Sequence, residues 1–292
     1  MIRASITLSF LGLVAAFAPA CEKKGKGKDK DDTTVPASDS GVAKVDIDES
    51  VPQEPDPPAI AEAAQAYLHG QYDDVISTLQ PLYADLKERN QYRASGLAGA
   101  WLALAHAKKV FENGEEPAEW SAAMADATGD KEVLAAANLA RGAIMLGAED
   151  FAGAETRLTE AARTSDRTVV ALANILRGEA MILAAFGSGE SETMQDPAKL
   201  SNAKQAYDVA GKAAAGQPAE RLLLGRVEEG YAALADYQND RANLCTHAVA
   251  AIEHFRGGGA AAQLVEGPAK LASDKKCELP AGVVPPDGNE GP

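Results

Sequence analysis

Apolar residues recur every three to four positions from residue 59 to residue 272, the spacing of one face of a helix. Glycines, prolines and polar turn residues interrupt that recurrence and mark eleven predicted helices. These are Ala59–His69, Tyr72–Glu88, Gln91–Phe111, Pro117–Ala127, Lys131–Leu146, Asp150–Thr164, Arg167–Phe186, Pro197–Ala215, Ala219–Tyr237, Asp240–Phe255 and Ala260–Ala272. Pro81 is expected to kink or split the second helix, and Pro117 suits the first turn of the fourth. Runs of Val, Ile, Thr and Tyr with period two are absent. The body, residues 59–277, is therefore predicted to be all-α, and its short turns make sequence neighbours antiparallel.

The ends of the chain follow other patterns. Arg3 precedes an uncharged apolar run over residues 6–18, and Ala18-Pro19-Ala20-Cys21 follows it. A short positive start, a short apolar run and small residues at a cleavage point describe a secretory signal peptide, residues 1–20. A membrane-spanning helix needs about 20 apolar residues, more than this run supplies. Residues 21–58 alternate lysines with glycines and then become acidic and proline-bearing, with no aromatic residue. Such a segment cannot bury enough apolar surface to offset chain entropy, so it is predicted to be a disordered linker, with a span of about 35 Å as a coil. Its lysines, Lys23 to Lys30, either meet anionic lipid head groups or simply keep a spacer soluble. Prolines and glycines over residues 278–292 predict a disordered tail.

Composition sharpens this reading. Hydrophobic residues make up 46% of the chain but aromatics only 5%, so alanine, the best helix former, carries much of the core. The formal charge of −15 argues against a nucleic-acid partner, which needs a basic footprint, and favours a basic or neutral one. There are three cysteines, Cys21, Cys245 and Cys277. The sequence around Cys21 resembles a bacterial lipobox, and the resemblance implies that lipid on Cys21 anchors the chain to a membrane. Glu22 lacks the Asp associated with inner-membrane retention, which by the same resemblance favours the outer membrane, facing the periplasm. Lipidation leaves an even pair, and an oxidising compartment allows a Cys245–Cys277 disulfide; two unrelated thiols are the alternative.

One internal repeat is explicit. Ala137-Asn138-Leu-Ala-Arg141-Gly142-Ala-Ile-Met145 and Ala173-Asn174-Ile-Leu-Arg177-Gly178-Glu-Ala-Met181 share five identities at an offset of 36 residues. Phe151, Ala154, Leu158 and Ala161 follow the first copy. Ala203, Tyr207 and Ala210 follow the second after an insertion over residues 187–197. Tyr72, Leu79 and Leu82, then Gly99, and finally Gly230, Ala242 and Val249 give partial matches. This arrangement resembles the tetratricopeptide repeat, a helix–turn–helix unit of about 34 residues. The resemblance implies a right-handed solenoid of antiparallel helix pairs over residues 59–255, with the last helix as a cap. It also implies a concave groove lined by first helices. Asn138 and Arg141 share a face, and Asn174 and Arg177 repeat them one unit on. These four residues form a candidate partner-binding ladder for a peptide backbone or carboxylate; they equally suit a role in holding neighbouring helices together.

No catalytic constellation is found. Gly187-Ser188-Gly189 follows a predicted helix, where a nucleophile elbow needs a strand. Gly257-Gly258-Gly259 lacks the setting of a phosphate loop. His247 and His254 lie two helical turns apart near Cys245, but no ligand set has the usual spacing for a metal. The expectation is a non-enzymatic, lipid-tethered scaffold for a protein or peptide partner, with no cofactor and no metal, and by resemblance a role in outer-membrane assembly. The alternative is an accessory protein of a transport system that holds a small solute inside the solenoid.

Overall fold

The computed structural model describes residues 47–48, 50–186 and 196–284. The signal peptide, Cys21 and most of the 187–197 insertion lie outside the described residues. Within them the protein is all-helical: α1 (Pro58–Leu68), α2 (Tyr72–Glu88), α3 (Tyr92–Ala107), α4 (Glu115–Thr128), α5 (Lys131–Gly147), α6 (Phe151–Ala161), α7 (Arg167–Phe186), α8 (Pro197–Ala214), α9 (Glu220–Tyr237), α10 (Arg241–Gly257) and α11 (Ala262–Asp274). α3 ends at Ala107, short of the predicted Phe111, and a short 3-10 turn, Phe111–Gly114, follows it. Pro81 lies inside α2 without dividing it.

Aspartates and tight turns set the boundaries. Asp130 accepts hydrogen bonds from the Glu132 and Val133 amides at the start of α5, and Asp150 accepts one from Gly153 at the start of α6. One turn recurs where helices reverse. The amides of Gln71, Gln91, Asp150 and Asp240 donate to the carbonyls of Ala66, Leu86, Met145 and Ala235, each five residues back. This is the Schellman closure of a helix end. It places the preceding residue at positive φ, a role taken by Gly70, Asn90, Glu149 and Asn239.

Helices pack on their sequence neighbours, and α1, α3, α5, α7 and α9 also touch in that order. Small residues permit the close approaches. A Cβ at Gly142 would stand 2.6 Å from Leu158 Cγ, and one at Gly178 would stand 2.6 Å from the ring of Tyr207. Leu158 and Tyr207 are buried, and both contacts join equivalent positions of the two repeats. α7 is long and apolar enough to cross a membrane, but most of it is buried inside the protein.

Two segments differ from expectation. Residues 50–57, read from sequence as coil, form with Ile47 and Asp48 a strap along the α2–α3 turn. Ile47 packs on the core, and the Asp48 amide donates to Tyr92 Oη. Gln53 accepts from the Tyr92 amide and donates to the Asn90 carbonyl. Gln91 accepts from the Glu54 amide and donates to the Pro52 carbonyl. Arg93 pairs with Asp56 on the strap and with Asp130 and Glu132 at the start of α5. These side-chain bonds satisfy a segment with almost no apolar content, which composition alone reads as unfoldable. The predicted tail is also partly attached: Leu279 packs beside α11, and Arg256 donates to the Ala281 carbonyl.

Candidate functional site

The four ladder residues do not form an open row. Asn138 and Asn174 are buried, at 7% and 3% exposure, and the Asn174 amide donates to the Val170 carbonyl of its own helix. Arg141 Nε lies 3.1 Å from Glu119 Oε1 on α4, close enough for an ion pair but not aligned as a hydrogen bond. Arg177 is half-buried. Both asparagines therefore sit within the helix packing.

Cys245 and Cys277 are joined in a disulfide, with Cα atoms 5.4 Å apart. It ties the residue just beyond α11 to α10. Arg241 adds to the tie by donating to the Lys275 and Lys276 carbonyls. The two histidines near Cys245 do not act as a pair: His247 Nδ1 is 2.6 Å from Glu228 Oε2, and its ring stacks on Tyr231. Among the described residues no three His, Cys, Asp or Glu side chains gather in a way that could hold a metal ion.

The main concentration of buried charge was not anticipated from the sequence. Lys108 at the end of α3, Glu179 on α7, and Arg226 and Glu229 on α9 interact electrostatically among the tyrosines Tyr67, Tyr72 and Tyr207. Lys108 Nζ is 3.9 Å from Glu179 Oε2, and their side chains are only 15% and 12% exposed. Burial pushes the Glu179 carboxyl above its ordinary range, against the pull of Lys108 and Arg226. Burial also pushes Glu229 up, to about 7, and Glu179 adds to that rise while Arg226 and Lys108 oppose it. Burial alone would lower Lys108, but Glu179 together with the neighbouring Tyr67 and Tyr72 outweighs it and holds the ammonium charged. Two cations and two carboxyl groups thus balance in a space with little water, as buried charges require. The sequence carried one signal: Glu179 is the sole acid in α7.

Arg226 also joins distant parts of the chain. Its Nη2 donates to the Tyr67 carbonyl at 3.2 Å and to Tyr72 Oη at 3.1 Å, and its guanidinium lies over the Tyr67 ring. The loop after α10 reaches the same place. His69 Nδ1 is 3.0 Å from the Gly259 carbonyl, so the ring nitrogen donates. The Ala261 amide donates to the His69 carbonyl. Leu264 of α11 fills the space left by Gly70, where a Cβ would stand 2.6 Å from Leu264 Cγ. The two ends of the body therefore meet in a seam. On its outer side an open cleft of about 360 Å³ lies between Tyr72, Asp73 and Asp74 of α2 and Gln263 and Glu266 of α11.

In comparisons with protein-family models, curated proteins and solved structures, nothing matches the chain.

Proposed function

We propose that the chain is a non-enzymatic scaffold, a right-handed solenoid of tetratricopeptide-like helix pairs tethered through lipid on Cys21 and facing the periplasm. In this reading it holds a protein or peptide partner, in the manner of accessory lipoproteins of outer-membrane assembly. The observation that carries the reading is the repeated packing unit. Gly142 on Leu158 and Gly178 on Tyr207 are the same close approach made in consecutive helix pairs, and the first helices of those pairs touch in series. Units that cannot bury their own apolar face stack in this way, and stacks of them present extended binding surfaces. The disulfide supports an oxidising compartment. The charge of −15 favours a basic partner segment.

The alternative, a small solute held inside the helices, has less support. It needs polar groups free to converge on a ligand, whereas the inner guanidinium of Arg226 is already committed to Tyr67 and Tyr72. Two measurements test the scaffold reading. Cys21→Ser should move the protein from the detergent-extracted membrane fraction to the soluble fraction, and retention in the membrane would overturn the anchor. Chemical crosslinking in intact cell envelopes should yield a discrete adduct with another envelope protein. Recovery of the uncrosslinked chain alone would overturn the scaffold.

A further inference from the structure

α11 bridges two different parts of the molecule. Its C-terminal end is fixed: Cys277 is bonded to Cys245, and Arg241 holds the last carbonyls. Beside that end lies a small separate apolar cluster of Ala232, Ala248 and Ala272, apart from the main core. Its N-terminal end makes different contacts. Leu264 belongs to the main core and sits on Gly70, while Ala261 and Gly259 bond to His69. Gly267, midway along α11, lies over Glu229, since a Cβ there would stand 3.1 Å from Glu229 Oε1.

We propose that α11 is a latch. Anchored at its far end by the disulfide, it closes the seam at its near end and covers the charged cluster on its Glu229 side. Release of the near end opens the inner side of α1 and α9. Three features make this end the place where opening begins. The seam is held by a small apolar set, Leu264 with the partly buried Ala260 and Val265, and a few hydrogen bonds. The glycines Gly257, Gly258 and Gly259 precede it, with Gly259 at positive φ. The cleft beside it is already open to solvent. Segments held by few apolar contacts open at lower cost than the global transition. Opening would give a partner access to the charges of the inner face. That use rests on the scaffold reading, whereas the experiment below tests the latch alone, so the two can fail separately.

The test is amide hydrogen exchange on the full chain and on Leu264→Ala, with the disulfide intact in both. Exchange over residues 67–72 and 261–267 should quicken at least tenfold in the variant, while α5 and α6 exchange as before. Equal quickening in all helices, or none at the seam, would overturn the proposal. Trp101 gives a second readout, because it packs against Tyr67 beside the cluster. In a Trp120→Phe background, Leu264→Ala should raise acrylamide quenching of Trp101 severalfold. Faster exchange in α11 with unchanged quenching would show that its release uncovers nothing, and would also overturn the latch. The paired variant Cys245→Ser with Cys277→Ser should extend the fast exchange to the end of α11, over residues 268–277. Unchanged exchange there would remove the disulfide as its anchor.

Discussion

Glu229 is a carboxyl group held where water is scarce, and its chemistry makes the protein's stability depend on pH. Burial raises it from 4.5 to about 7, with Arg226 and Lys108 pulling down and Glu179 pushing up. An acid whose folded value lies above its unfolded value binds more protons in the folded state across that interval. Stability from this group is therefore greatest below about 4.5 and falls as pH rises through 7. Glu229→Gln keeps the shape and removes the charge. The variant should match the parent near pH 4.5 and exceed it at pH 8 by on the order of 2 kcal/mol, allowing for solvent screening of a partly exposed group. Thermal melts at the two pH values check this, and a variant that keeps the parent's slope would rule the group out as its source. At the same scale, the Tyr207 ring is held between Gly178 of α7 and Gly230 of α9. The sequence marks both glycines as small packing positions. That one ring fills the space at both is a fact of three dimensions that neither repeat states alone.

At the scale of the element, most of the helix map is legible in the sequence, because the signals are local. Asp130, Asp150, Asp196 and Asp240 each cap the helix that follows, and Gly70 and Asn90 close helices by accepting positive φ. The ladder was less legible, since Asn138 and Asn174 look polar in sequence but lie buried in the packing. The strap was missed for a related reason. Composition measures how much apolar surface a segment can bury, and residues 50–57 bury little. They are held by polar side chains whose partners, Asn90, Gln91, Tyr92 and Arg93, lie more than 30 residues away. Arg93 is the hub, since it gathers Asp56, Asp130 and Glu132. Arg93→Ala should leave the helices folded and lower global stability by about 1 kcal/mol, the range for partly exposed charge-assisted contacts. Limited proteolysis should cut within residues 50–57 about tenfold faster. If cleavage there is unchanged, the strap is held by Gln53, Gln91 and Tyr92 without the arginine.

The whole molecule is organised by a meeting of its ends, and here the sequence is silent. Local patterns specify how each helix packs on its neighbour, but whether the last helices return to the first depends on small rotations accumulated along the chain. Arg226 lies 159 residues from Tyr67, whose carbonyl it bonds. It is buried, at 8% exposure, and it also supplies positive charge beside Glu179 and Glu229. Arg226→Met retains most of the bulk and deletes the charge. It leaves the Tyr67 carbonyl and Tyr72 hydroxyl without that donor, and it leaves two carboxyl groups facing Lys108. Breaking a buried charge network on one side costs about 3–5 kcal/mol, so the variant should melt well below the parent. Because the lost contact joins the first helices to the ninth, the loss should fall on α1, α2 and α9 before α5 and α6, as a lower-temperature shoulder in calorimetry. Arg226→Lys should recover only part of it, since an ammonium reaches less far than Nη2 and has no planar face for the Tyr67 ring. Full recovery by lysine would mean that charge alone matters at this position. An unchanged single transition in Arg226→Met would mean that Leu264 and the His69 bonds close the seam without it.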